Sequence, residues 1–325
     1  MTENISASLL KRDNRLSNNN NSNTFKYKLE CQDIIDKSVN PETKDWLMLQ
    51  NQIIHDSDEY TLFNALLEQN KKIVVKIGPE KLKNEFEIGK MIESLKIPTF
   101  LVYNCMFNCL DDFYKMDGKT QKEKHLEHIN TKRKYLCKKE GKPIYILVMP
   151  YINNGVFYNY DWNRDNFLIL KNVIKHIFIS IVYASLTIGF IHNDLHLNNI
   201  MIQKTKRKKI NFGDFYSLDV IGGIIPIIMD YDKSIIHGIS VNYSLVYNDL
   251  INIFNLLNTQ LKLKIDFTGI LSLFILMIKK NEKITKEICD EIIGKIDKLE
   301  IYLDLTLKRE LPDFLKPLNT RKMYK

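Results

Sequence analysis

Residues 190–201 read "FIHNDLHLNNIM" and set six hydrogen-bonding side chains, His192, Asn193, Asp194, His196, Asn198 and Asn199, between two apolar ends. The longest uncharged apolar run of the chain, "IFISIVYASLTIGFI" at 177–191, leads into them, and another apolar stretch follows. Polar groups among buried neighbours are costly unless they are hydrogen-bonded or put to chemical use. A satisfied polar turn over a helical core is the simpler reading, and a catalytic loop is the other. The surrounding sequence decides between them.

A chain of 325 residues can bury a sizeable core and accommodates one two-lobed domain or two small ones. Lys, Asn and Ile are heavily used and Arg is scarce, as an AT-rich coding sequence would give. The cysteines, Cys31, Cys105, Cys109, Cys137 and Cys289, are odd in number and lack framework spacing, so a reducing, intracellular compartment is expected. Residues 1–40 begin with a polar, Asn-rich stretch without a signal-peptide core and are expected to form a disordered tail. The apolar run at 177–191 is too short to span a bilayer comfortably, so a buried helix is expected and a membrane span is not.

The formal charge of +8 is concentrated. Segment 115–142 carries ten Lys/Arg against four Asp/Glu, and "KTKRKK" at 204–209 carries five basic residues. Both read as surface loops, either simply solvated or forming a patch for an acidic partner. At 204–209, without interleaved aromatics, nucleic acid is the less expected partner and stays an open alternative.

Along the chain, "YTLFNALLEQNKKIVVKIG" (60–78) predicts two short strands around a polar turn at 68–72. "NEFEIGKMIESLKI" (84–97) places Phe86, Met91, Ile92 and Leu95 at near-helical spacing before Pro98. "TFLVYNCMF" and "PIYILVMPY" predict strands on either side of the basic insert. Residues 165–189 predict one long helix, and "NIMIQ" and "GGIIPIIMDYD" predict strands flanking the second basic loop. Beyond Tyr243 the pattern is helical in three segments.

In this layout His192-x-Asp194-x4-Asn199 falls on a loop between a buried helix and a short strand, and a second strand ends at Asp230. Phosphoryl transfer needs such a set: one carboxylate to orient the acceptor hydroxyl and receive its proton, an Asn and a second carboxylate for Mg²⁺, and an upstream strand Lys for the phosphates. Lys76 in "IVVKIG" stands where that Lys belongs, and the next helix offers Glu87 as its ion-pair partner, with Glu85 as the alternative.

With these pieces in this order, residues 50–310 resemble the protein kinase superfamily. "HNDLHLNN" resembles its catalytic loop, "IVVK" its strand lysine, and "MDYD" stands at its metal-binding motif. "LVMPYINNG" (147–155) resembles the connector between lobes, with Met149 as gatekeeper and Pro150, Tyr151 and Ile152 meeting adenine. The combination of "HNDLH", "NNIM" and "DYDKS" is most similar to divergent Ser/Thr protein kinases of large DNA viruses.

The resemblance implies an α+β, two-lobed kinase-like fold over 41–325, with a β-rich N-lobe at about 45–150 and a mainly helical C-lobe at about 155–325. It implies ATP and Mg²⁺ as cofactors and a protein substrate with a Ser or Thr acceptor. Asp194 is the expected base, Asn199 and Asp230 the metal ligands, and His196 a further catalytic-loop residue.

The sequence also departs from the pattern. No glycine precedes Gly78, so Ser57 in "HDSDEYTLFNA" (55–65) is the expected phosphate donor in place of a Gly-rich loop. His196 stands where Ser/Thr kinases usually carry Lys, a trait shared with choline and aminoglycoside kinases. Asp232 replaces a glycine, and only 18 residues separate Asp230 from Asp249. A small-molecule kinase and a non-catalytic binding module are therefore the competing readings. Cys105, Cys109, His125 and His128 approximate a zinc pattern, but the two cysteines lie about 13 Å apart in an extended strand at ~3.3 Å per residue, too far to share a metal.

Overall fold

A computed structural model of the chain describes residues 47–53, 60–67, 71–108, 145–238 and 241–301. Among the described residues the architecture is mixed α/β, with a five-stranded sheet, three two-stranded ones and several helices. Strands β1 (Leu47–Ile53), β2 (Thr61–Leu67), β3 (Lys71–Gly78), β4 (Cys105–Asn108) and β5 (Tyr145–Pro150) form an antiparallel sheet in the order β1-β2-β3-β5-β4. The β2–β3 pair expected from the sequence is present, and β3 lies in the middle of the sheet with β2 and β5 on either side.

Cross-strand partners and alternate residues share a face. Lys76 therefore lies on the same face as Leu62, Val74, Leu147 and Met149. Ile73, Val75 and Ile77 take the opposite face and are buried.

Helix α1 (Lys81–Glu93) follows β3. The sequence pattern suggests an inward face made of Phe86, Met91, Ile92 and Leu95, but Met91 is exposed and the buried set is Leu82, Glu85, Gly89 and Ile92. These four sit at spacings of three and four residues, as one helical stripe requires. A glutamate and a glycine occupy two of its positions, which hides the stripe from an apolar pattern. The chain then leaves the helix through Lys96, at φ 56°, before Pro98.

Residues 99–104 do not extend β4. Instead Leu101 N–H donates to the Ile228 carbonyl at 2.8 Å, and Ile228 N–H donates to that of Thr99 at 2.8 Å, which carries the chain across to the second half.

That half begins with α2 (Phe167–Ile188) and continues through β6 (Phe190–Ile191), β7 (Ile200–Lys204), β8 (Lys209–Phe212), β9 (Tyr216–Asp219), β10 (Ile224–Ile228) and β11 (Ile235–Ile236). It closes with α3 (Tyr243–Gln260), α4 (Thr268–Lys280) and α5 (Lys286–Asp297). The three expected helical segments are present. The region between β7 and β10 was expected to be a basic loop, yet β8 and β9 form a hairpin there. Ile210 and Phe212 alternate inward between exposed Lys209 and Asn211, which is the period of a half-buried strand.

By length and composition α2 could cross a membrane, but two thirds of its most apolar window is buried inside the protein. Two of its polar side chains reach one carbonyl there: Asn172 Nδ2 donates to the Asp219 carbonyl at 2.9 Å and His176 Nε2 lies 3.1 Å from the same oxygen, while the buried His176 Nδ1 has no hydrogen-bond partner among the described residues. Phe178 on α2, Tyr247 and Phe254 on α3, and Phe274 on α4 pack with ring centroids about 5.6–6.2 Å apart. A helix apolar nearly all round belongs in such a core.

Gly189 ends α2 in the left-handed conformation, φ +69°, and its N–H donates to the Ser185 carbonyl at 2.9 Å. A Cβ at this position would collide with the backbone of Gly238. Gly189→Ala combines left-handed strain with overpacking and should cost about 2–4 kcal/mol of stability. Urea denaturation reads this directly, and a loss below about 0.5 kcal/mol would show that the turn relaxes freely.

Candidate active site

The site forms where the face of β3, helix α1 and the loop after α2 converge. Lys76 is 3% exposed and its ammonium lies 2.8 Å from both Glu85 Oε2 and Asp230 Oδ1. Burial works against the charged amine, but the two carboxylates outweigh it and hold its pKa above the ordinary lysine range. The partner on α1 is therefore Glu85, and Glu87 points outward and is exposed. The physical reason is helical phase: Glu85 lies on the buried stripe with Leu82, Gly89 and Ile92, whereas Glu87 falls on the opposite face.

Burial raises the pKa of Glu85, and the Lys76 ammonium and the Tyr103 hydroxyl oppose that rise. Tyr103 donates to Glu85 Oε1 at 2.6 Å. Its ring crosses α1 at Gly89, where any Cβ would strike it. Glu85 thus has a buried partner on each oxygen, as a buried charge requires.

The loop 192–199 is held from below. On α3, Asp249 Oδ2 accepts from the N–H of His192 at 2.7 Å and from that of Asn193 at 3.3 Å. Asn193 is left-handed, φ 60°, a conformation that asparagine tolerates better than most residues. The buried His192 ring is pushed toward its neutral form by desolvation, and Nε2 lies 3.0 Å from the Met229 carbonyl. Asn199 Nδ2 donates to the Asp194 carbonyl at 3.0 Å, so the amide nitrogen and not the side-chain oxygen makes this bond.

Antiparallel pairing of β7 with β10 sets Ile200 opposite Ile228, and Met229 N–H donates to the Asn199 carbonyl at 2.9 Å. This register brings Asp230 alongside Asn199. Asp230 adopts φ 66°, an uncommon backbone state for a residue other than glycine and one that concentrates at functional sites.

Tyr231 is fully buried, with its hydroxyl 2.9 Å from the carbonyls of both Leu101 and Ile228. Its ring packs against Tyr103, with centroids 5.5 Å apart, and against His192, 6.3 Å apart. Asp232 Oδ2 accepts from Tyr60 at 2.8 Å, with Lys81 at 3.5 Å. Despite the cost of its burial, these partners and Lys76 hold Asp232 below the usual carboxylate pKa. The Tyr60 ring lies 4.1 Å from the Lys76 ammonium and so covers the side of the lysine that its carboxylates leave open.

The structure thus brings together Lys76, Asp194, Asn199 and Asp230. His196 Nε2 is 3.9 Å from Asp194 Oδ2, outside hydrogen-bond distance, whereas Lys233 Nζ is 2.8 Å from the same oxygen. Met149 and Ile152 are buried and Tyr151 is exposed where β5 ends. Ser57, the basic segment 115–142, and Cys109, His125 and His128 lie outside the described residues. Cys105 is buried in β4. In the second basic run Lys204, Lys206, Arg207, Lys208 and Lys209 are all exposed.

Sequence reasoning missed Tyr60, Tyr103 and Lys233. Lys233, directly after the Asp-Tyr-Asp triplet, and Tyr60, in the stretch at 55–65, lay within segments already singled out, but neither was assigned a role. Among the described residues no cluster of three or more His, Cys, Asp or Glu is placed to hold a metal. The pair Asn199 and Asp230 still offers hard oxygen donors of the kind Mg²⁺ takes when phosphates and water complete its shell. No protein-family model and no curated protein matches the chain.

Burial pushes the Asp249 carboxyl up to about 7, although the two N–H groups favour its charged form. An unfolded aspartate titrates near about 3.9, so the folded protein keeps a proton that the unfolded chain has lost between those values. Stability from this group is full below about pH 4 and falls as pH rises to about 7. Asp249→Asn removes the titration but keeps an accepting oxygen. Across that range the wild type should lose on the order of 4 kcal/mol relative to the variant in pH-dependent urea denaturation. Parallel curves would mean that Asp249 is charged throughout.

Proposed function

We propose that the chain is an ATP-dependent phosphotransferase of protein-kinase-like, two-lobed architecture that phosphorylates a Ser or Thr hydroxyl of a protein. The observation that carries this reading is that a buried strand lysine pairs with Glu85 and Asp230, while the Asp194–Asn199 loop is joined at Asn199 to the residue before Asp230. Each group suits a step of phosphoryl transfer. Lys76 exchanges Asp230 for phosphate oxygens and keeps Glu85. Asp194 orients the acceptor hydroxyl and receives its proton as the oxygen attacks the γ-phosphorus. Asn199 and Asp230 would hold Mg²⁺, which supplies positive charge against the β- and γ-phosphoryl oxygens. Adenine would lie against the chain at Met149, Tyr151 and Ile152.

The buried Cys289 thiol, which is in no disulfide, supports an intracellular site of action. The exposed basic run at 204–209 is the proposed contact for an acidic partner. A small hydroxylated acceptor is the second reading. It is favoured by the short span between Asp230 and Asp249, part of which is used by β11 pairing with β6.

Mg·ATP at 100-fold over its dissociation constant should stabilise the fold by about 2.7 kcal/mol. A melt unmoved by millimolar Mg·ATP would sink the nucleotide reading. Asp194→Asn should cut transfer to casein by at least about 10²- to 10⁴-fold with nucleotide affinity nearly intact. Asp230→Asn should lower both transfer and Mg²⁺-dependent nucleotide binding. Wild-type turnover in Asp194→Asn would remove the proposed base, and transfer to choline but not to casein would select the second reading.

A further inference from the structure

The base of a phosphoryl transfer sits where negative charge accumulates. In the proposed reaction a triphosphate meets Asp194 and Asp230, so cations must be placed with them. Lys76 serves Asp230. On the other side, the ammonium 2.8 Å from Asp194 Oδ2 belongs to Lys233, while His196, on the same loop as the base, stands off at 3.9 Å. An exposed Lys–Asp pair is often incidental. Here the lysine is held at its backbone: Asn193 Nδ2 donates to the Lys233 carbonyl at 3.2 Å, Ser234 Oγ donates to the His192 carbonyl at 3.1 Å, and Ser234 N–H donates to that of Tyr231 at 3.1 Å. The loop that carries the base thus fixes the position from which Lys233 reaches it. The side chain stays half-exposed, free to move from carboxylate to incoming phosphate.

We propose that Lys233 is a catalytic residue, the cation that bridges Asp194 and a γ-phosphoryl oxygen during transfer, delivered by the segment after Asp230 and not by the loop that carries the base. This rests on the phosphotransferase reading above. In the step, the acceptor oxygen forms a bond to the γ-phosphorus and its proton passes to Asp194. The bond from that phosphorus to the β,γ-bridging oxygen breaks, and ADP leaves with the electron pair. Lys233 keeps its proton throughout. It offsets charge on the equatorial oxygens and holds Asp194 toward the acceptor.

The test compares Lys233→Met, Lys233→Arg and His196→Ala with the wild type, using radiolabelled Mg·ATP and casein. Nucleotide affinity and thermal midpoint are measured separately. Lys233→Met should lower kcat about 10²- to 10³-fold, with KM for ATP and nucleotide affinity within about threefold. Lys233→Arg should recover part of the loss, and His196→Ala should cost less than Lys233→Met. A Lys233→Met enzyme with wild-type kcat, a loss confined to KM, or a larger loss in His196→Ala overturns the assignment and leaves the phosphotransferase reading standing. A wild type that binds Mg·ATP but neither transfers nor hydrolyses its γ-phosphoryl overturns both.

Discussion

A single buried ammonium organises this protein. Removing Lys76 from water costs several kcal/mol, which only close carboxylates offset. One carboxylate comes from α1 and the other from the segment after β10, so the lysine ties the sheet, the helix and the second half of the chain at one point. Removing one carboxylate leaves the lysine with a single partner, and removing the lysine leaves Glu85 buried with only the Tyr103 hydroxyl, which is more damaging than replacing the whole group with apolar residues. The surrounding structure keeps the triad together. Gly89 admits the Tyr103 ring, Tyr103 fixes Glu85, and the left-handed backbone of Asp230 turns its carboxylate toward the lysine.

A second anchor works from the opposite side. Asp249 gathers the first two N–H groups of the 192–199 loop, and His192 and Asn199 then join that loop to β10 and to itself. The two anchors meet through the column Tyr103–Tyr231–His192, so the lysine triad and the loop bearing Asp194 occupy one rigid frame. For the proposed phosphoryl transfer, groups placed on such a frame are what would make positioning effective.

Much of this was legible in the sequence because long periodic segments and short polar motifs report directly on burial and chemistry. The β2–β3 pair, α2 and the three last helices follow from pattern alone. The grouping of Lys76, Asp194, Asn199 and Asp230 was expected from the resemblance to protein kinases, with chain order and element type in agreement. Glu87 was the natural choice over Glu85 because the inward stripe of α1 contains a charged residue and a glycine, which an apolar count passes over. The β8–β9 hairpin was hidden by its lysines, although Ile210 and Phe212 alternate as a strand should. Tyr103 and Lys233 could not be read from local pattern, because their partners are 18 and 39 residues away.

The hydroxyl of Tyr231 has a consequence for ligand design. Swinging this residue out of its column would strand the hydroxyl and empty the space of a tyrosine, at a cost of about 1–3 kcal/mol for the first and about 3–5 for the second. A conformation that high is populated below about one part in a thousand, and apparent affinity for any compound that requires it is reduced by the same fraction. Compounds designed to lodge behind Lys76 in place of that ring should therefore bind far more weakly than their contacts imply. Compounds that leave the Tyr231 column in place avoid that cost, because they meet the protein in the conformation it already holds.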